Sequence, residues 1–231
     1  MKQKILIPAL LLIMLTIGAG SFLAGYRSYP RRHPLPPPVI GHAYVRELAI
    51  FAQAEEIDHP VMLMLGDSIT ELAYLPSICS GAIFNAGVGG ATLANTLNFV
   101  PKILKLIKPS KIIIAIGTND AQTAVATPLG IFASQFGALI EEVRANGTEL
   151  YVSTIPPIAM EGQRFVDPTR ILKLNQIIRN LAKVTGAHVI DFFGGMQPVD
   201  GFLPSALTID GIHLTPAGYN RWLRTLSSAC S

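Results

Sequence analysis

The sequence predicts a three-layer α/β domain in which helices cover both faces of a parallel, five-stranded sheet. From about residue 61 onwards, short apolar runs alternate with longer segments of helical periodicity, which is the order of elements in doubly wound folds. The run at 111–116 is apolar and β-branched almost throughout, as expected of a strand buried on both faces. Several of these runs also stop at a glycine or a cluster of polar residues, which marks the end of a strand.

Each predicted element has a local signal of its own. The five strands are predicted at 61–65, 82–85, 111–116, 149–155 and 187–192. The helices are predicted at 41–57, 92–108, 128–146 and 167–184, with a last helix from 216. Pro101 is expected to interrupt or kink the second helix, because proline removes a backbone donor. Gly147 and Gly186 mark the ends of the third and fourth helices. Pro168 and Pro216 occupy the first turns of the fourth and last helices.

Residues 1–28 are predicted to be a signal peptide or a membrane anchor. Lys2 and Lys4 precede residues 5–26, a stretch of 22 residues without a charged side chain. A helix of that length can cross a hydrocarbon core of about 30 Å. The stretch exceeds the usual apolar core of a signal peptide, which favours a retained anchor, although small residues near its end also fit a cleavage site. We expect the domain at 41–231 to be exported or anchored in the inner membrane, outside the cytoplasm.

The remaining charge does not favour a nucleic-acid partner. Residues 29–40 contain five prolines and are predicted to be a semi-rigid linker into the domain. The net charge of +3 comes from the N-terminal region, since residues 1–40 carry five of the 18 basic residues and none of the 15 acidic ones. The rest of the chain therefore has 13 basic and 15 acidic residues, a net charge of about −2. The expected partners are a small-molecule or glycan substrate and, through residues 5–26, a membrane.

The first candidate for chemistry is Ser68, which follows the strand at 61–65 in the order Gly66-Asp67-Ser68. Its place is the carboxyl edge of the predicted sheet, where open α/β sheets bind their ligands. A structural alternative stands beside this one. Ser68 and Glu71 have the spacing of a capping box, in which the serine only satisfies backbone N–H groups of the next helix.

The convergence of four polar clusters favours the functional interpretation. Asp67-Ser68, the glycines of 87–90 and the segment 118–120 each follow a predicted strand, and Asp210 and His213 lie in the last loop. Parallel strands place their carboxyl ends at one edge, so the topology brings these clusters together. Asp120 is left out of the catalytic set because it is also a candidate helix cap, and Asp67 is given a supporting role.

These residue types supply the groups that acyl transfer requires. Ser68 offers the nucleophilic hydroxyl, His213 a base to take its proton, and Asp210 a carboxylate three residues earlier to orient the imidazole. The Ser68 backbone N–H and the Asn119 side-chain amide are candidate donors to the oxyanion that forms at the attacked carbonyl.

In these blocks the chain resembles the SGNH (GDSL-type) hydrolase family. Gly66-Asp67-Ser68, residues 85–90, Gly117-Thr118-Asn119-Asp120 and Asp210-Gly211-Ile212-His213 match its four blocks in order, and the resemblance covers about residues 61–226. It implies a flavodoxin-like sheet, hydrolysis or transfer of acyl groups from esters, and neither metal nor organic cofactor. It also implies that the Gly90 N–H is the third oxyanion donor. One departure is Ala91, where the family commonly has a polar residue.

Other catalytic classes fit less well. Residue 70 is Thr, so the Gly-x-Ser-x-Gly turn of α/β-hydrolases is absent. The glycines at 87–90 lack dinucleotide-site spacing, and a metal site on Asp210 and His213 would lack further ligands. Cys79 and Cys230 have no neighbours typical of a metal site, and whether they pair stays open. The sequence thus predicts a serine esterase; the alternatives are an O-acyltransferase or deacetylase acting on an envelope glycan, and a non-catalytic binding module.

Overall fold

The computed structural model describes residues 41–77 and 81–229. The predicted anchor, the linker and both cysteines lie outside these residues. Within the described part, no helix combines the length and the apolar character that crossing a bilayer requires.

A five-stranded parallel sheet forms the centre of the domain, as predicted. Its strands are β1 (Met62–Gly66), β2 (Ile83–Gly87), β3 (Lys111–Ala115), β4 (Glu149–Ser153) and β5 (His188–Ile190). The spatial order is β2-β1-β3-β4-β5, which is the flavodoxin-like order. In register, Gly66 at the end of β1 lies between Gly87 of β2 and Ala115 of β3. The loops after β1, β2 and β3 therefore leave the sheet side by side.

Helices cover both faces of this sheet. They are α1 (His42–Glu55), α2 (Ser68–Glu71), α3 (Leu93–Ile103), α4 (Leu129–Arg144), α5 (Pro168–Thr185), α6 (Phe192–Gly195) and α7 (Pro216–Ala229). One buried cluster joins Leu63, Ile112 and Val152 of the strands to α1, α3, α4 and α5. A second cluster joins Met64 and Ile113 to α2, α6 and α7. Successive strand residues point to opposite faces, so uninterrupted apolar runs supply both clusters.

Several elements are shorter than predicted, among them β4, which ends at Ser153 rather than at 155. β5 ends at Ile190 because Asp191 caps α6, accepting a hydrogen bond from the Gly194 N–H. The predicted strand at 187–192 is therefore wrong at its first position and at its last two positions. The helix predicted at 92–108 is α3, which ends at Ile103, two residues after Pro101. Pro101 thus lies inside α3 and does not end it, since the Leu104 N–H still donates to the Val100 carbonyl at 3.1 Å.

Candidate active site

Ser68 lies where β1 ends and α2 begins, at the carboxyl edge of the sheet. Asp67 is the N-cap of α2, and its carboxylate accepts a hydrogen bond from the Ile69 N–H at 3.0 Å. Ser68 is the first residue of the helix and is half-buried. The alternative in which Ser68 and Glu71 form a capping box is therefore wrong. The Ser68 hydroxyl faces a different partner.

That partner is His213, which lies in the loop before α7. The Nε2 atom of His213 is 2.9 Å from Ser68 Oγ, and its Nδ1 atom is 2.6 Å from Asp210 Oδ2. The other carboxylate oxygen, Asp210 Oδ1, accepts hydrogen bonds from the N–H groups of Ile212 and His213 at 2.9 and 2.8 Å. The structure thus brings Asp210, His213 and Ser68 together in one continuous chain of hydrogen bonds.

The protonation of this chain follows from the carboxylate. Partial burial acts to raise the pKa of Asp210, but hydrogen bonds from the His213 ring and from two backbone N–H groups outweigh it and hold that pKa below its ordinary value. An ionised carboxylate can only accept, so the Nδ1 atom of His213 must carry a proton in order to donate to it. In neutral imidazole, Nε2 is then the acceptor for the Ser68 hydroxyl proton.

The loops that follow β2 and β3 lie on either side of Ser68. Gly90 follows β2 with a left-handed backbone at φ +76°, and Asn119 follows β3. The Asn119 Nδ2 group donates to the Ala91 carbonyl at 2.9 Å, and its Oδ1 accepts from the Gln122 side chain at 2.9 Å. These bonds fix the orientation of the amide, and within the part of the chain that the structure describes the second Nδ2 proton has no acceptor. The structure therefore joins the Gly90 and Asn119 loops at the edge that carries Ser68.

Comparison with known proteins shows which family the chain belongs to. Residues 64–221, more than two thirds of the chain, match the model of the GDSL-like Lipase/Acylhydrolase family. The chain belongs to this family. It is therefore an acyl hydrolase of the SGNH type, as its four blocks predict.

Relatives and solved structures extend the likeness. The hydrolase is 28% identical over 177 residues to the alpha2 subunit of platelet-activating factor acetylhydrolase IB from Homo sapiens and from Rattus norvegicus, covering 72% of this chain and 74% of each relative. A Streptococcus pneumonia structure described as a platelet activating factor has a TM-score of 0.71 at 25% identity, over 82% of this chain and 94% of that one. A GDSL-like lipase from Bacteroides thetaiotaomicron shares the fold, with a TM-score of 0.69 at 20% identity, over 80% and 96% of the two chains.

Two acidic residues beside the site of this hydrolase have structural partners. Asp120 is fully buried and accepts hydrogen bonds from the Leu93 N–H at 2.9 Å and the Thr127 hydroxyl at 2.7 Å. It ties the N-terminus of α3 to the loop after β3. Burial raises the pKa of Asp120, and these hydrogen bonds oppose the rise. Within residues 41–77 and 81–229, no group of three His, Cys, Asp or Glu side chains is placed to hold a metal ion.

Asp67 is buried directly beside the nucleophile, with 2% of its surface exposed. This burial raises the pKa of Asp67 from 3.8 to about 6, although hydrogen bonds from Ile69 and Thr118 and the nearby His213 oppose the shift. A buried carboxylate with too few donors destabilises the folded state whenever it is ionised. Asp67 therefore caps the helix that carries the nucleophile at a cost in stability.

This cost predicts a pH dependence of stability. The unfolded chain releases the Asp67 proton near pH 4 and the folded protein near pH 6, so the folded state binds more protons between these values. The free energy of unfolding should fall as pH rises through this window and lose on the order of 3 kcal/mol above it. Asp67→Asn keeps a capping oxygen but cannot ionise. We expect it to flatten the slope and to raise stability at pH 7.5 by about 1–3 kcal/mol.

Urea unfolding of wild type and Asp67→Asn between pH 4 and pH 7.5 measures this effect. Asp167→Asn is the matched control, because Asp167 caps α5 through bonds from the Thr169 and Arg170 N–H groups. It reports what exchanging a capping carboxylate for an amide does away from the site. Parallel pH profiles for wild type and Asp67→Asn would contradict the prediction.

Sequence reasoning missed a second group of residues at the site. Glu71 was considered only as a capping partner of Ser68, and His42 was given no functional role. The structure instead places the His42 Nε2 atom 2.9 Å from the Glu71 carboxylate. Arg46 of α1 lies beside them and donates to the carbonyls of Asn85 and Gly87 at 3.0 and 2.9 Å. The spacing of Glu71 from Ser68 was the only signal in the sequence, and it was assigned to the wrong partner.

Proposed function

We propose that this hydrolase is a serine esterase that cleaves carboxylic esters through an acyl-enzyme on Ser68. The observation that carries the proposal is the chain of hydrogen bonds from Asp210 through His213 to Ser68, at 2.6 and 2.9 Å. Nucleophile, base and orienting carboxylate are each within hydrogen-bond reach of the next group, which is the geometry that such catalysis requires.

In the acylation step, Ser68 Oγ attacks the ester carbonyl carbon while His213 Nε2 takes the hydroxyl proton. The imidazolium that forms is stabilised by Asp210, whose carboxylate stays ionised and holds the Nδ1 proton. When the tetrahedral intermediate collapses, the C–O bond to the alcohol breaks and His213 gives its proton to the leaving oxygen. The acyl group remains on Ser68.

The negative charge of the intermediate needs donors that are already in place. We assign this role to the Ser68 N–H, the Gly90 N–H and the free Nδ2 proton of Asn119. Among the residues that the structure describes, neither the Ser68 N–H nor the Gly90 N–H donates to a protein acceptor. Preorganised donors of this kind each contribute about 3 kcal/mol to transition-state stabilisation. Water activated by His213 then attacks the acyl-enzyme, releases the acid and restores Ser68.

Acetyl and other short acyl esters are the proposed substrates. The support is the names of similar proteins: one set is a platelet-activating factor acetylhydrolase. A Geobacillus stearothermophilus protein with a TM-score of 0.63 at 19% identity, over 74% of this chain and 94% of that one, is an acetylxylan esterase. Both names specify an acetyl ester, although the alcohols differ.

Action on an envelope glycan is the second candidate, either as O-acyltransferase or as deacetylase. The uncharged stretch at 5–26 favours it, because a retained anchor or export signal would place the domain outside the cytoplasm, beside such glycans. In the transferase, a sugar hydroxyl would attack the acyl-enzyme in place of water. All steps up to the acyl-enzyme would be the same.

Assays on the purified full chain in mild detergent test these proposals. We expect release of acid from p-nitrophenyl esters, with acetyl and butyryl esters turned over faster than decanoyl esters. A fluorophosphonate probe should modify one serine, which peptide mapping should identify as Ser68. Added acetylated and unacetylated glycans would separate deacetylation and transfer from simple hydrolysis. Modification of a different serine, or no turnover of any ester, would contradict the proposal.

A further inference from the structure

The contacts of Glu71 extend this proposal to a residue that does not itself touch the reacting atoms. We propose that Glu71 is a positioning residue that holds the Gly89–Gly90 turn in place and so preorganises the Gly90 N–H as an oxyanion donor. The inference rests on the proposed esterase function of Ser68. It assigns to Glu71 a role in the rate of the reaction rather than in the stability of the fold.

The carboxylate of Glu71 lies between α1 and the glycine turn. Its side chain is only 15% exposed, and one oxygen accepts a short hydrogen bond from the Gly89 N–H. His42 Nε2 lies 2.9 and 3.0 Å from the two oxygens, and Arg46 Nε lies 3.8 Å from one of them. Two side chains of α1 thus hold the carboxylate against the turn.

Arg46 supports the same segment from its other end. Its guanidinium donates to the carbonyls of Asn85 and Gly87, in the last three residues of β2. The Asn85 side chain donates in turn to the carbonyls of Thr70 and Ala73 at 2.8 and 3.1 Å. The end of β2 is therefore fixed to α2 and α1, and Glu71 supplies the fixing contact for the turn beyond it.

One backbone hydrogen bond, from the Ala91 N–H to the Val88 carbonyl at 3.0 Å, closes the turn, and the Glu71 carboxylate supports it from outside. Gly87 must be glycine, since a Cβ there would lie 2.4 Å from the Glu71 backbone nitrogen. Gly90 has φ +76°, and a Cβ there would have no neighbour within 4 Å, so no side chain packs at this point. Glycines lose more conformational freedom on ordering than any other residue. A charge-assisted bond to the Gly89 N–H limits that freedom directly before the peptide unit that contains the Gly90 N–H.

The position of Glu71 also links this support to the nucleophile. Ser68 and Glu71 are the first and last residues of α2, a single helical turn. The helix α2 therefore carries the Ser68 hydroxyl at one end and, at the other end, the carboxylate that holds the turn with the Gly90 N–H. This link fixes the distance between attacking oxygen and oxyanion donor within one rigid unit, which is the requirement for preorganised stabilisation.

The test compares Glu71→Ala and Glu71→Gln with wild type in the full chain. We expect Glu71→Ala to lower kcat about 10- to 100-fold, below the 10²- to 10³-fold cost of deleting an oxyanion donor. Glu71→Gln keeps an acceptor without charge and should lose about 10-fold or less. KM should change little, because the Gly90 N–H that Glu71 positions binds the oxyanion, whose charge develops only in the transition state. Rates are expressed per serine titrated with fluorophosphonate, which removes any misfolded fraction.

Double variants separate positioning from a general structural role. Gly90→Ala should displace the turn on its own, because alanine is strained at φ +76°. Glu71→Ala should then add little to Gly90→Ala, since both act on one donor, but should multiply the loss caused by Asn119→Ala. Glu149→Gln is the control: Glu149 contacts Tyr151, Lys111 and His188 at the opposite edge of the sheet. We expect its kcat to equal that of wild type.

The outcomes distinguish this inference from the function beneath it. A wild-type kcat in Glu71→Ala, while Ser68→Ala is inactive, would overturn the positioning role and leave the esterase intact. A lower titratable fraction with unchanged kcat per site would likewise overturn it, because Glu71 would then serve only folding. Full activity in Ser68→Ala would refute the esterase proposal itself.

Discussion

Ser68→Ala and His213→Ala should each lower kcat/KM for ester hydrolysis by about 10⁴- to 10⁶-fold, and the double variant should be no slower than either one. The two side chains act as a unit, because the 2.9 Å contact between Oγ and Nε2 is the path by which the proton leaves the nucleophile. Without the hydroxyl there is no acyl-enzyme, and without the imidazole the hydroxyl stays protonated and unreactive. Steady-state hydrolysis of p-nitrophenyl acetate measures all three variants.

Ser205→Ala is the matched control, since Ser205 is an exposed serine at the start of a 3₁₀ helix in the loop that precedes Asp210. It should retain wild-type activity and wild-type labelling by the fluorophosphonate. Thermal unfolding of every variant shows whether a loss of activity follows a loss of structure. Turnover by Ser68→Ala equal to that of wild type would refute the assignment of the nucleophile. If wild type itself turned over no ester and its Ser68 were not labelled, the binding-module alternative would stand.

Much of the fold follows from the sequence because burial on two faces leaves a simple pattern. β1 has no polar side chain and β3 has only Lys111 at its start, since helices cover both faces of each strand, and their apolar runs were recognised for that reason. The end of β5 was not recognised from the sequence, because it depends on whether Asp191 continues the strand or caps the next helix. That choice is made by the bond from the Gly194 N–H, a tertiary detail that residue type alone does not decide.

The candidate active site, like the fold, could be predicted from the sequence only in part. The sequence predicted that Asp210, His213 and Ser68 lie close together, because the carboxyl ends of parallel strands meet at one edge of the sheet. Glu71 could not be assigned by that rule. Its partners are His42 and Arg46, which precede it by 29 and 25 residues on a different helix, and the contact depends on how α1 packs against the sheet edge. The local capping pattern was a simpler explanation for Glu71, and Asp67 had already taken that role.

Asp210→Asn should lower kcat by about 10³- to 10⁴-fold while leaving the loop intact. An asparagine Oδ1 atom can still accept the N–H groups of Ile212 and His213, so the turn that carries the histidine is kept. Its Nδ2 group, however, would face His213 Nδ1 and donate to it. The imidazole would then carry its proton on Nε2, pointing at the Ser68 hydroxyl, and could no longer accept the proton of the nucleophile.

Asp191→Asn is a close control for this change. Asp191 also caps a turn, also accepts from a basic side chain, Arg179, at 2.8 Å, and is 50% exposed against 48% for Asp210. We expect wild-type kcat for Asp191→Asn, and a fluorophosphonate labelling rate for Asp210→Asn that falls in proportion to its kcat. Unfolding midpoints of the two variants should differ little from wild type, which places the loss of Asp210→Asn in the protonation of His213 rather than in the fold. A kcat for Asp210→Asn within 10-fold of wild type would mean that the carboxylate does not select the imidazole tautomer. Asp210 would then have no catalytic role, and only His213 and Ser68 would act in the reaction.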